Sequence, residues 1–334
     1  QPKDVEREIW DGIRLGPEAA TITLGVDAAH SVQSLDSLLP PLLENQTCVW
    51  YPFATHKGLE TRVDEWLGKV RAKVRTGVVC PSQQRDLCVV LDEMRLVKDA
   101  SEQDTMRRAA RISAGGHIRA MQLSARMLRA GHDVREYHLD AELLHEFRRH
   151  GSQFPAYTSI VAAGANACVL HYRADTAPVK SGDLVLIDAG CELDGYASDI
   201  TRTFPANGRF TATQRADYEL VLAAQAAAEA TLKAGVSYDA FEDAAKQVFR
   251  RAGRIDDFIH GLGHYVGLDV HDPFDRSRPI PAGAVITIEP GLYTQSANQG
   301  IRIEDQYLVT AAGSERMSAG IPRSIAEIEA AMRG

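Results

Sequence analysis

VKSGDLVLIDAG (residues 179–190) and IPAGAVITIEPG (residues 280–291) state one pattern twice. Each has a glycine (Gly182, Gly283), then a run rich in β-branched residues and leucine or valine. An acid follows six residues after the glycine (Asp188, Glu289), and a further glycine two positions on (Gly190, Gly291). Short apolar runs bounded by glycine read as buried strands. Each copy continues to a second acid: YASDITRTF carries Asp199 and GIRIEDQYLV carries Glu304. A carboxylate at the end of a buried strand is costly unless it is protonated, paired or metal-bound. Between the two copies runs HGLGHYVGLDVHD, residues 260–272, with three histidines among glycines. Acids from two related halves around a central histidine describe a metal site.

The local geometry supports this. Asp199 follows Asp188 by eleven residues, and LDGY (193–196) between them reads as a turn joining paired strands. Antiparallel pairing brings both carboxylates to one end of a hairpin, and Glu289 with Glu304 can do the same. Oxygen-rich donors with one imidazole suit Mn²⁺, Fe²⁺, Co²⁺ or Zn²⁺ rather than a thiolate-selected metal. Four carboxylates exceed the needs of one ion, so two ions sharing carboxylates are expected. Such a pair, about 3.5–4 Å apart, activates a water and clamps the oxygens of a hydrolytic transition state. Any one of these acids alone is more often a surface-turn residue; the duplicated frame reverses that reading. Of His260, His264 and His271, one is expected to bind metal and the others to face substrate. His171 in VLHY is a fourth pocket candidate. His30, His56, His117, His132, His138, His145 and His150 have no supporting context.

At 334 residues the chain suggests two domains, on about 150 residues each, and 45% hydrophobic residues suffice for a full core. The net charge of -8 argues against a nucleic-acid partner, which calls for a basic face. No apolar run approaches the ~20 residues of a membrane helix. Five cysteines, an odd number without CxxC spacing, suggest neither a disulfide framework nor a zinc knuckle; a cytoplasmic location follows.

Residues 1–95 read as a small α/β unit, with strands at CVWYPF (48–53) and LCVVLDEM (87–94) and a helix near 59–74. From 96 to 334 the pattern is two helices then strands, twice over. The first long helix is expected to start at a Ser101/Asp104 capping box, to bend or break at Gly115-Gly116, and to stop near Gly131. A second covers about 135–150. SIVAAG (159–164) reads as a strand. Thr211 with Gln214 caps an Ala-rich helix running to about Gly235, and another spans about 238–252. A last helix lies near 324–332. This is an α+β domain with an internal repeat rather than a parallel βαβ sheet.

IDAG, ASDITRTFPANG, HGLGHYVGLDVHD, TIEPGLY and GIRIED together resemble the dinuclear metallopeptidases of the pita-bread fold, the M24 family. The wording between the acids is most similar to the proline-specific branch that includes bacterial Xaa-Pro aminopeptidases. The resemblance covers about residue 90 to the end. It implies a pita-bread catalytic domain with pseudo-twofold symmetry, preceded by a creatinase-like N-terminal domain of which the leading 95 residues look like the later part. It implies five metal ligands, Asp188, Asp199, His264, Glu289 and Glu304, with Asp199 and Glu304 bridging two ions, commonly manganese. Glu289 would shuttle a proton, while His171, His260 and His271 would line the substrate pocket beside Tyr157, Tyr293 and Arg302. The implied activity is hydrolysis of the bond between an N-terminal residue and a following proline, by a homo-oligomer (dimer or tetramer). A prolidase shares the same ligands and is the alternative. A metal-free binding homologue and creatinase-like C–N hydrolysis both predict eroded ligands. The segment from Arg250 to His260 and the loop from Gln295 to Gly300 are shorter than the resemblance leads one to expect.

Overall fold

The two acid motifs fold into matching pieces. In a computed structural model describing residues 1–273 and 275–333, the first half forms an antiparallel sheet ordered Ile160–Ala163, Leu184–Asp188, Thr201–Pro205. Between its last two strands a hairpin, Cys191–Leu193 with Tyr196–Ala197, folds out. The turn residues Asp194 (φ 51°) and Gly195 (φ 87°) both take left-handed backbone, as the expected tight turn requires. In the second half, Val285–Ile288 pairs antiparallel with Asp305–Val309, and Gly291–Thr294 with Gln299–Arg302 folds out between them. Strand, hairpin, strand therefore occurs twice, and a bridge between Thr201 and Glu304 joins the halves. This is an α+β, pita-bread-type architecture.

Each half carries two helices: Ala100–Arg129 with Glu136–Arg149, and Ala212–Thr231 with Tyr238–Arg251. Their apolar faces close over the sheets, burying Leu143, Phe147, Tyr218, Phe241, Ile187 and Ile286 in one core. The Thr211/Gln214 capping box forms. Two local expectations are corrected. The long helix is capped by Asp99 with Glu102, not by Ser101 with Asp104; Asp99 Oδ1 accepts from both the Ser101 and Glu102 amides. The helix also runs unbroken through Gly115-Gly116. A Cβ at Gly116 would stand 3.0 Å from Phe147, so the glycines permit close helix packing rather than a break.

The chain divides into two compact units, Gln1–Asp92 and from Glu93 onward. The first unit has Cys48–Tyr51 parallel to Gln83–Asp86, with Val63, Trp66 and Leu67 of the helix Leu59–Arg71 in its core. Residues 87–94 are expected as a strand, but from Cys88 on they form the helix Cys88–Leu96 instead. The Asp86 carboxylate accepts from the Cys88 amide and starts that helix. The strand lies just before it, in the polar QQRD, where no apolar pattern betrays it.

Candidate metal centre and substrate cavity

Asp188 ends one strand and Asp199 stands just before the next, whose register sets Asp188 opposite Thr201. The hairpin between them returns the chain to its starting point. Likewise Glu289 follows Val285–Ile288 and Glu304 precedes Asp305–Val309, with Ile288 opposite Asp305. Tyr157 Oη lies 2.6 Å from both Asp188 Oδ1 and Asp199 Oδ1. His264 Nε2 lies 3.3 Å from Asp199 Oδ2 and 3.6 Å from Glu289 Oε1. One ligand atom each from Asp199, His264 and Glu304 fall within 4.8 Å of one another. His264 is placed by pairing its loop with the second half: its amide donates to Thr287 Oγ1 and its carbonyl accepts from the Thr287 amide. That approach needs glycine before it, since a Cβ on Gly263 would meet Thr287 O at 2.2 Å.

These groups open on a cavity of about 400 Å³, also lined by His171, His260, His271, Arg302 and the side chains of Ile160, Leu170, Val270 and Arg173. Tyr293 stands behind this wall. A directed chain runs through it: Arg302 Nη1 donates to Tyr293 Oη (2.9 Å), which faces His260 Nε2 (2.9 Å), whose Nδ1 faces Gly261 O (2.7 Å). Since Gly261 O can only accept, His260 carries its proton on Nδ1 and Nε2 accepts from Tyr293. Arg302 also donates from Nη2 to Asp188 Oδ2 (2.7 Å) and from Nε to Thr201 Oγ1 (3.2 Å). It is buried, and its guanidinium is committed to Asp188, Tyr293 and Thr201.

Burial pushes Glu289 up to about 7, with Asp199 and Asp188 adding repulsion against the pull of His264 and Arg302. Burial and the same neighbouring acids hold Glu304 well above the carboxylate range. Asp199 goes the other way: the bond and charge of His264 outweigh its burial. His264 is desolvated, which lowers it, yet Asp199 and Glu289 raise it to about 9 overall. Burial, with Arg302 nearby, lowers His260 to about 4, so it is neutral at pH 7. A buried set of four carboxylates and an imidazole retains protons unless multivalent cations replace them. The donor set therefore fits divalent metal.

Every residue singled out in the sequence lies in this cavity wall or, for Tyr293, directly behind it. Sequence reading missed Arg173, Thr201, Thr287 and the apolar lining. Thr201 and Thr287 each lie two residues from a motif acid, and Ile160, Leu170 and Val270 fall inside quoted stretches, but nothing in those stretches marks them as site residues; Arg173 carries no signal at all.

Residues 104–311 match metallopeptidase family M24, and residues 1–50 match the aminopeptidase P N-terminal domain. The chain belongs to the M24 metallopeptidases. It is 40% identical to Xaa-Pro aminopeptidase of Haemophilus influenzae over 98% of this chain and 80% of that protein. Among solved structures it matches Pseudomonas aeruginosa aminopeptidase PepP with a TM-score of 0.93 and 40% identity, covering 100% of this chain and 81% of that one. It also matches zinc-substituted Escherichia coli aminopeptidase P in complex with product, with a TM-score of 0.91 and 36% identity, covering 100% and 81%.

Proposed function

We infer that this protein is a Xaa-Pro aminopeptidase, hydrolysing the bond between an N-terminal residue and a following proline. The observation that carries this is the convergence of Asp188, Asp199, His264, Glu289 and Glu304 on one cavity, in a chain close in sequence and fold to enzymes of that name. These five residues would hold two divalent ions, with Asp199 and Glu304 between them; manganese is our expectation, and zinc, cobalt or iron would fit the same donors. Bound there, the ions supply Lewis acidity and a nucleophile at neutral pH. Glu289, which the bare pocket raises to about 7, suits a group that takes a proton from the attacking water and returns it to the leaving nitrogen. Neutral His260, with His171 and His271, orients the scissile carbonyl. Tyr157 and Arg302 hold the carboxylates in place, and Ile160, Leu170 and Val270 offer an apolar wall to a proline ring. Metal-free binding and creatinase-like readings are disfavoured by the complete ligand set.

We place the catalytic domain at 96–334 and a creatinase-like domain at 1–95, and expect a cytoplasmic homo-oligomer without nucleic-acid or membrane partners. No described helix is long and apolar enough to cross a membrane. The direct test is metal analysis of the purified protein together with cleavage of an Xaa-Pro peptide. A protein that binds no divalent metal, or that is inert with metal supplied, would overturn the reading.

A further inference from the structure

Behind the histidine loop lies a buried ion pair that the proposed chemistry does not use. Lys98 Nζ and Asp272 Oδ2 are 2.9 Å apart, with side chains 1% and 2% exposed. Burying two opposite charges is rarely the cheapest way to hold a loop, because desolvation offsets most of the attraction. The geometry here is fixed on both sides. The Lys98 amide donates to Gly283 O (2.9 Å), and its carbonyl accepts from Gln103 Nε2 (2.8 Å), so the lysine is set by the second acid motif and the long helix. Asp272 is the hub of its own loop. Its Oδ1 accepts from Arg95 Nη2 (2.5 Å) and from the Asp269 amide (3.2 Å), and its amide donates to Tyr265 O (3.0 Å). Gly267 packs against the pair so tightly that a Cβ would stand 2.2 Å from Asp272 Oδ2 and 3.0 Å from Lys98 Cε. On the same loop Val266 is buried in an apolar cluster, and Val270 packs against it. The residue between Val270 and Asp272 is His271, whose ring lies 4.0 Å from that of His264 at the cavity wall.

We propose that Lys98 and Asp272 are positioning residues: their buried pair fixes the loop 265–272 so that His271 meets the substrate at one angle. This rests on the functional reading above for the role of His271, though not for the anchoring itself. Arg95, which also reaches Asp269 (2.6 Å), closes the outer side of the clamp.

The test is a double-mutant cycle in the metal-loaded, full-length protein, with Lys98→Met, His271→Ala and the pair combined. Lys98→Met should lower kcat by about 10²-fold with KM little changed, as expected when a reacting group is misplaced. Metal content should stay at the parental level. In the double variant the loss should be no greater than in His271→Ala alone, because Lys98 acts through His271. Losses that multiply would overturn the proposal, as would a parental kcat in Lys98→Met. Hydrogen exchange gives a readout free of turnover: amides in 265–272 should exchange faster in Lys98→Met while the first unit keeps its rates, and unchanged exchange in that loop refutes the clamp. If Lys98→Met fails to fold, Asp272→Asn keeps the shape and should give the same pattern. A parent inactive on Xaa-Pro peptides would bring down the functional reading alone, since the exchange comparison still decides the anchoring.

Discussion

The hydroxyl of Thr201 donates to Glu304 Oε2 at 2.6 Å, while the Glu304 amide donates to the Thr201 carbonyl at 3.0 Å. One residue belongs to each half of the repeat, so the seam of the fold and the proposed metal centre coincide. That explains why the duplicated pattern in the sequence reads as chemistry: neither half can bury its acids without the other.

Asp199 and Glu304, proposed to lie between the two ions, should therefore carry both metal and activity. In Asp199→Ala or Glu304→Ala, metal content and turnover should fall together. Thr201→Val keeps shape but removes the donor to Glu304, and should weaken metal affinity by about 10–100-fold. Two ions per chain with near-parental turnover in either alanine variant would sink the bridging role assigned to that residue.

The three cavity histidines should behave differently from His264. Replacing His171, His260 or His271 by alanine should leave metal content intact, and at least one replacement should lower kcat by about 10²–10³-fold. Metal loss on replacing His271, whose ring touches that of His264, would make it a ligand instead.

Metal uptake should release protons. The bare pocket raises His264 to about 9 and Glu289 to about 7, so at pH 7 the imidazole is charged and the carboxyl about half protonated. Ligation requires both to be deprotonated, so more than one proton per chain should leave on metal binding at pH 7, and fewer at pH 10. Metal affinity and activity should accordingly fall on the acid side. Titration calorimetry in buffers of different ionisation enthalpy counts the protons; a count of zero at pH 7 contradicts the pocket described here.

How much of this was legible beforehand follows physical lines. Asp188, Asp199, Glu289 and Glu304 were visible because burying acids after apolar strands is costly and must be compensated. The Asp194-Gly195 turn was visible because left-handed backbone selects those residues. Gly115-Gly116 misled: a single sequence does not reveal that Glu146 packs onto Gly115 and Phe147 with Leu143 onto Gly116. The strand Gln83–Asp86 was invisible, since backbone pairing with Cys48–Tyr51 makes it and side-chain pattern does not. Lys98 carries no signal in the sequence, because its partner Asp272 is distant from it along the chain.

His117 was set aside in the sequence, and the structure gives it a stability role. It is buried, its Nε2 lies 2.9 Å from Ala189 O, and burial lowers it to about 4. The unfolded chain protonates this histidine near pH ~6.5 while the folded one does not. Stability from this group is thus full above about 6.5 and is lost as pH falls towards 4. Across that window it should add up to ~1.4 kcal/mol per pH unit to the acid slope. Urea unfolding at pH 5 and pH 7.5 should show a smaller difference for His117→Gln than for the parent. Equal differences would mean the folded protein charges this residue after all.

Substrate length is the final question, and Arg302 bears on it. A dipeptidase needs a cation to capture the free carboxylate of an Xaa-Pro dipeptide, and one charge-assisted contact can decide between substrates. Arg302 is placed close enough to invite that role, yet its three nitrogens donate to Asp188, Tyr293 and Thr201. Taking on a substrate carboxylate would mean releasing Asp188, a proposed metal ligand. Among the described cavity-lining residues the remaining guanidinium is that of Arg173, exposed, with Nη1 donating to Thr158 O at 2.9 Å. A cation at the mouth favours a carboxylate without requiring one, and leaves room for a longer chain. The expected result is that Xaa-Pro-Xaa tripeptides are cleaved at least as well as Xaa-Pro dipeptides, and that peptides with alanine in place of proline are spared. Arg173→Ala should then reduce dipeptide cleavage more than tripeptide cleavage. Side-by-side kcat/KM values on a dipeptide, its C-terminally extended tripeptide and the alanine control decide the matter: turnover of the dipeptide alone would make this enzyme a prolidase, with Arg173 or a regrouped Arg302 as its carboxylate anchor.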